Sequence, residues 1–439
     1  MNDESPRAKA MAVPASRLAR LSRFGTMTAG IASGVAWQGM RAYAGGGRPD
    51  WQGLLMTPQN LRKVADELAR MRGAAMKVGQ LISMDAGDVL PPELAEVMAR
   101  LRAEADYMPP RQLRSVLDGN WGPGWMRRFE RFEVRPLAAA SIGQVHRARA
   151  GGGHLAIKVQ YPGVRRSIDS DVDNVAALIR WAGMLPEGVD VAPLLDEAKR
   201  QLHEEADYAR EGRALARFAA LLDGSDAFAV PRLAQEFTTS DVLAMSFEQG
   251  VPVERMREAD QATRDRIVRL LLELLFRELF EFGMMQTDPN FANYRYDPET
   301  GRVVLLDFGA TRAFGTEVTE GYRALLRAGM EGTPDDIAAA ALRLGFFGEE
   351  TADRHRAAIV EMIGMAFGAL RTAGPFDFGN SDMVLRLRDR ALEMSADRSF
   401  VHLPPTDVFY LQRKFAGLYL LARTLGARVD VGALARPWL

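Results

Sequence analysis

Apolar and polar positions divide the chain into stretches of different period. Leu61, Val64, Leu68 and Met71 recur three to four apart and predict a helix across Leu61 to Met76. Pro91-Pro92 and Pro109-Pro110 punctuate the chain beyond it, and residues 50–129 as a whole read as helical. From 130 to 160 the period shortens. Ala138 to Val145 and His154 to Gln160 are β-rich runs joined across Gly151-Gly152-Gly153, which predicts a hairpin. Residues 189–222 predict one charged helix, and Pro231 to Phe247 two strands ending at a hinge, Gln249-Gly250. A strongly apolar helix is expected over 260–282. A turn at Asp297-Pro298-Glu299-Thr300-Gly301 then leads into an apolar run, Val303 to Leu306, that reads as a short strand. From Thr316 onward the pattern is helical, interrupted by Pro and Gly.

Residues 1–49 stand apart. Arg17, Arg20 and Arg23 recur every third position and precede a Gly/Ala/Met-rich stretch and a Gly45-Gly46-Gly47 linker. Three readings stay open. The segment lies on an anionic membrane surface; it is a small-residue helix packed on its own domain or on a second copy, making a homodimer; or it is an organelle transit peptide. Phe24 to Met40 is uncharged but rich in Gly, Thr, Ser and Gln, too polar and too short to span a bilayer.

Composition narrows the function classes. A net charge of -1 argues against a nucleic-acid-binding surface, and the absence of cysteine excludes disulfides and thiolate metal sites. Lysine is scarce: Lys9, Lys63, Lys77, Lys158, Lys199 and Lys414 stand against an Arg-rich background. A lysine kept against that bias marks a place where a compact ammonium does what a planar guanidinium does not.

The chemistry concentrates between Asp288 and Gly309. Asp288 precedes Asn293 by five positions, and Asp307-Phe308-Gly309 follows the predicted strand. A catalytic Asp, a metal-binding Asn and a D-F-G metal-binding Asp follow this order in protein kinases. Upstream, Ala138-Ala139-Ala140-Ser141-Ile142-Gly143-Gln144-Val145 lies over the kinase Gly-rich loop, with alanines where two glycines belong, and Leu155-Ala156-Ile157-Lys158 lies over the strand that carries the nucleotide lysine. The helix containing Glu204, Glu205, Asp207 and Glu211 is the candidate to supply its carboxylate partner. Ala138 and Ala140 restrict the backbone states that let amides approach phosphate. No Ala-Pro-Glu follows Gly309, so a peptide-docking activation segment has little room.

These motifs together resemble the UbiB/ADCK atypical kinase family, nearest its coenzyme Q (ubiquinone) biosynthesis branch. The resemblance rests on Lys77-Val78-Gly79-Gln80 (K-x-G-Q), the Ala-rich loop, Lys158 in Ile-Lys-Val-Gln-Tyr-Pro-Gly, Glu205-Ala206-Asp207 (E-x-D), Gln286-Thr287-Asp288-Pro289-Asn290, Leu305 to Ala310, and Pro375-Phe376-Asp377-Phe378-Gly379. Many bacterial relatives read H-x-D-x-H-P-G-N where this chain has Gln286 to Asn293, so it is nearer the mitochondrial type.

The resemblance implies an α+β, two-lobed protein-kinase-like fold. Its parts are the segment 1–49, a family-specific helical extension 50–129 carrying K-x-G-Q, an N-lobe 130–248 and a mostly helical C-lobe 249–439. It implies ATP or ADP held by Ala138, Ala139, Ala140, Ser141, Lys158, Glu211, Asn293 and Asp307, and Mg²⁺ held by Asn293 and Asp307. Lys77 pairs with Glu205 and lies across the active site, which leaves Glu211 for Lys158. Asp288 either accepts a substrate proton or orients a water. The expected function is ATP hydrolysis, or phosphorylation of a small or lipid molecule, in support of ubiquinone biosynthesis. The expected partners are an anionic membrane, prenylated quinone precursors and other ubiquinone-biosynthesis proteins, with no nucleic acid. The expected place is peripheral to the bacterial inner membrane, or the matrix side of a mitochondrion. A protein kinase and a nucleotide-binding pseudokinase scaffold are the alternatives. The missing activation segment counts against the first, and intact Lys158, Asn293 and Asp307 against the second.

Overall fold

The computed structural model describes residues 107–140, 142–181, 192–395 and 404–439. Segment 1–49, the K-x-G-Q motif with Lys77, and Ser141 lie outside these residues. The chain divides into two compact units: one runs to Gly212 and takes in Leu233–Phe247, and the other comprises Arg213–Arg232 and Glu248–Leu439.

The first unit is built on an antiparallel sheet. It opens with α1 (Pro110–Trp121), which starts on a proline whose missing N–H costs nothing at a helix N-terminus. Then come β1 (Arg131–Phe132), β2 (Ala138–Ala139), β3 (Gly143–Ala150) and β4 (Gly153–Gln160). The β3–β4 hairpin turns at Gly151 and Gly152, both at positive φ, where glycine carries no Cβ penalty. Three helices follow: α2 (Val164–Trp181), α3 (Ala192–Glu205) and α4 (Tyr208–Leu221), the last belonging to the second unit from Arg213 onward. After β5 (Phe228–Ala229), which belongs to the second unit, β6 (Val242–Ser246) completes the order β1-β3-β4-β6, with β2 on the free part of β3.

Period-2 alternation sorts β4 onto two faces. Ile157 and Val159 join Ala148, Val242 and Ala244 against Leu113, Leu117, Trp125, Phe129 and Phe237, a core closed by Trp121 and Phe132. Its rings meet at 4.7 to 6.0 Å, mostly edge-on or tilted, which suits their quadrupoles. Lys158 and Gln160 alternate with Ile157 and Val159 and reach the α3–α4 region instead.

The structure corrects two expectations. The charged helix predicted over 189–222 is two helices, broken at Ala206–Asp207. Gln160 Nε2 donates to the Ala206 carbonyl at 2.7 Å, and Asp207 Oδ1 accepts from Arg210 N–H at 3.0 Å, a cap that starts α4 afresh. Pro231 to Phe247 forms one strand, β6, rather than two. Its first half is a 3₁₀ turn (Gln235–Phe237) that touches the sheet only at the Leu233–Met245 bridge.

In the second unit α5 (Gln261–Phe280), started by Asp260 accepting from Thr263 N–H, is buried on most of its surface. Beside it a four-stranded sheet runs β5-β10-β9-β7, made of β7 (Val251–Pro252), β9 (Tyr294–Asp297) and β10 (Arg302–Leu305), with β5 parallel to β10. A second small ladder pairs β8 (Met284–Gln286) with β11 (Thr311–Ala313). Helices follow: α6 (Thr316–Glu331), α7 (Pro334–Arg343), α8 (Asp353–Ala366), α9 (Gly368–Arg371), α10 (Met383–Ser395), α11 (Thr406–Leu425) and α12 (Val431–Ala435). The run from Thr316 is therefore helical as read, except that β12 (Phe376–Asp377) pairs with β13 (Arg428–Val429). The starting turn of α5 meets the end of α11: Arg264 Nη1 donates to the Leu425 carbonyl at 2.7 Å and Gln261 Nε2 to that of Gly426 at 3.0 Å. The two helices therefore pack antiparallel.

Candidate active site

Lys158 comes from the middle of β4 and Glu211 from the first turn of α4. Lys158 Nζ donates to both carboxylate oxygens of Glu211, at 2.9 and 3.0 Å, and lies 5.1 Å from the Tyr208 ring centroid. Both side chains are buried. The break after α3 makes this pairing, because it lets α4 begin at the height of β4 with Glu211 facing the strand. Glu205, at the end of α3, and Asp207 bracket that break.

The Ala-rich loop is strand-like rather than a flap. Ala138 pairs with Val145 and Ala139 with Gln144, and Ala140 N–H donates to the Gly143 carbonyl at 2.8 Å. No described non-glycine residue has positive φ, so Ala138 and Ala140 occupy states open to any residue. Gly143, the template glycine that remains, is fixed by space. A Cβ there would sit 2.3 Å from the Val159 carbonyl oxygen and 3.0 Å from the Tyr208 hydroxyl.

In the second unit, register delivers Asn293 and Asp307 together. Tyr294 faces Leu305 across the β9–β10 ladder, and one step on Leu306 N–H donates to the Asn293 carbonyl at 3.0 Å. Asn293 and Asp307 thus leave adjacent strand ends. Asn293 Nδ2 donates to Asp288 Oδ2 at 3.1 Å, and Asp307 Oδ1 accepts from Gly309 N–H at 2.9 Å. Phe308 is fully buried, 4.9 Å from the Phe218 ring, and anchors the turn after Asp307. After Gly309 the chain makes only β11 before α6 begins.

Sequence reasoning missed Arg413, Lys414, Glu278 and Gly417. Arg413 Nη2 donates to Asp288 Oδ1 at 3.1 Å. Lys414 Nζ donates to Gln286 Oε1 at 3.0 Å and to the Tyr294 hydroxyl at 2.7 Å, with Glu278 Oε2 3.9 Å away. Glu278 Oε1 accepts from Gln286 N–H at 3.1 Å. A Cβ on Gly417 would fall 2.0 Å from Pro289 Cβ, so α11 approaches the Asp288 loop as closely as backbone allows. Local spacing could not reveal the contacts of Arg413 and Lys414, which lie more than a hundred residues from their partners. The available signals were a lysine kept in an Arg-rich chain and charges inside two apolar helices.

Residues 100–341 match the model of the ABC1 atypical kinase-like domain, more than half of the chain. The chain belongs to the ABC1 atypical kinase-like family. Among its relatives, the Saccharomyces cerevisiae atypical kinase COQ8, mitochondrial, is 35% identical over 97% of this chain and 85% of its own length. The Rattus norvegicus atypical kinase COQ8B, mitochondrial, is 37% identical over 97% and 81%. A solved structure of Rv3197 with erythromycin, from Mycobacterium tuberculosis, aligns with a TM-score of 0.59 at 25% identity, over 87% of this chain and 97% of that one. The UbiB/ADCK resemblance and the α+β kinase-like fold therefore hold.

Within this ABC1 fold, the electrostatics around Lys414 are set by burial. Burial pushes the Glu278 carboxyl up to about 7, and the ammonium 3.9 Å away and the Gln286 N–H only partly oppose it. Burial also works against the Lys414 charge, but Tyr294 and Glu278 outweigh it and raise its pKa above the ordinary lysine value. The Tyr294 hydroxyl is raised by burial and stays neutral.

Among the described residues no three His, Asp or Glu side chains cluster as a self-sufficient metal site. The Asn293–Asp307 pair offers hard oxygen donors and only two residues. That donor set suits Mg²⁺, which takes its remaining ligands from water and phosphate, and does not suit a fully protein-caged ion. No helix among the described residues is long and apolar enough to cross a membrane.

Proposed function

We propose that this chain is a Mg²⁺-nucleotide-dependent atypical kinase/ATPase that supports ubiquinone biosynthesis at a membrane surface. The observation that carries the reading is the pairing of register with charge in the second unit. Two adjacent strand ends present Asn293 and Asp307, with Asp288 held against Asn293. The first unit holds a separate element of the reading, the buried Lys158–Glu211 pair; in kinases a lysine so paired meets the α/β phosphates. Mg²⁺ bound by Asn293 and Asp307 would neutralise phosphate charge.

The short path from Gly309 through β11 to α6 favours hydrolysis, or a small or lipid acceptor, over a docked protein chain. Asp288 is the group poised to orient a water or an acceptor hydroxyl. The COQ8 relatives, mitochondrial by name, support placing the activity beside prenylated quinone precursors and the other proteins of that synthesis. Arg17, Arg20 and Arg23 are the proposed contacts with an anionic membrane.

The deciding experiment measures ADP release by the purified chain, with and without anionic liposomes and quinone-precursor phenols. Mg²⁺-dependent release, increased by liposomes, is expected. Folded protein that binds nucleotide and releases no ADP under any of these conditions would refute turnover and leave the scaffold reading.

A further inference from the structure

We propose that Arg413 and Lys414, neighbours on α11, are positioning residues that hold the Asp288–Asn293 loop in its working shape; this rests on the phosphoryl-transfer reading above. The loop leaves β8 at Gln286 and enters β9 at Tyr294. Lys414 Nζ bonds to both of those residues, at 3.0 and 2.7 Å. One ammonium therefore ties the two ends of the loop together. Between those ends, Arg413 takes Asp288 Oδ1 while Asn293 takes Oδ2, both at 3.1 Å. Each carboxylate oxygen thus has its own donor, and the carboxylate plane is fixed.

Three further contacts make α11 a built support. Gly417, one turn on from Arg413 along the same face, permits contact with Pro289. Glu278 from α5 accepts from Gln286 N–H at 3.1 Å, a second hold on the loop's first end. Arg312, just past Gly309, stacks 4.1 Å over the Tyr410 ring of the same helix and sits 3.9 Å from Asp407. A single helix thereby supports both the Asp288 loop and the strand that follows Asp307.

The side chains differ for a reason. Lys414 is almost wholly buried among a carbonyl-type oxygen, a phenol and a carboxylate, space that suits a compact ammonium. Asp288 presents one oxygen to the Arg413 guanidinium at 3.1 Å, across a reach that the longer arginine side chain supplies.

The test uses the full chain with Lys414→Met, Lys414→Arg and Arg413→Gln, plus Leu113→Ala in the first-unit core as a stability control. Two readouts are taken: hydrogen exchange of the 284–295 backbone, and kcat with KM for ATP and Mg²⁺. The expected result is at least tenfold faster exchange in 284–295 for the α11 variants, with no such change for Leu113→Ala at matched stability. A kcat lowered tenfold or more, with KM for ATP within about threefold, should accompany it. Should both Lys414 variants fail to fold, Arg413→Gln reads the same two quantities. Wild-type exchange in 284–295 and wild-type kcat in a folded α11 variant would overturn the proposal. If the wild-type chain turns over no ATP, the proposed function fails, and the exchange comparison still decides the positioning role.

Discussion

Breaking the Lys158–Glu211 pair tests the proposed nucleotide role of the first unit most directly. The pair is bidentate at 2.9 and 3.0 Å, and the side chains keep only 11% and 1% of their exposure. At an effective dielectric near 20, charges about 3 Å apart attract by roughly 5 kcal/mol, most of which offsets the cost of desolvating both. The net worth of the pair is therefore small, while the cost of removing one partner is large. Glu211→Leu strands a buried ammonium, and Lys158→Met strands a buried carboxylate. Each should cost about 3–5 kcal/mol. The double variant Lys158→Met/Glu211→Leu removes both charges and should regain most of that loss, giving a coupling of about 5 kcal/mol or more.

Urea unfolding followed by tryptophan fluorescence reads the stability, with Trp121 and Trp125 in the first unit's core contributing. Binding of a fluorescent ATP analogue with Mg²⁺ reads the function. The double variant is the informative one: it should be nearly as stable as wild type yet bind nucleotide at least tenfold more weakly. A coupling below about 0.5 kcal/mol would refute the buried-pair argument. Unchanged nucleotide affinity in the double variant would refute the role of Lys158.

Asp307→Asn should lower Mg²⁺-dependent ADP release by about 100-fold or more while leaving circular dichroism unchanged, since the amide oxygen still accepts from Gly309 N–H but supplies no charge. Glu278 has its folded pKa raised above the unfolded value, so its favourable contribution is complete below about pH 4.5 and is lost as pH rises to about 7. Between pH 5 and 8 this amounts to about 2 kcal/mol, and thermal unfolding of Glu278→Gln should show that much less decline than wild type; equal declines would show that Glu278 does not titrate in this range. Ala138→Gly should shift the ratio of ATP to ADP affinity, read by thermal shift with each nucleotide, because it loosens the β2–β3 pairing and restores backbone states that alanine excludes; an unchanged ratio would mean the alanines are merely tolerated.

Features legible in the sequence and features hidden from it divide along sequence separation. The β3–β4 hairpin is legible because its alternation and its glycine turn are local. So are Asp288, Asn293 and Asp307, whose order and spacing are short and whose strand is a plain apolar run. The break between α3 and α4 is not legible, because it depends on Gln160 reaching the Ala206 carbonyl from another element. The α11 support is invisible to spacing for the same reason. Yet burial logic can find part of it. Glu278 lies on the face of α5 that buries Leu274, Leu275 and Leu279, and Lys414 on the face of α11 that buries Leu411, Gly417 and Leu418. A charge on such a buried face is costly enough that it must find a partner or neutralise. One acidic and one basic charge, each on the buried apolar face of its helix, are therefore evidence that the two helices pack together. Glu278 and Lys414 do meet, 3.9 Å apart, where α5 and α11 run antiparallel. Apolar helices searched for the charges they should not contain point to the loop's support as directly as the motifs point to the loop.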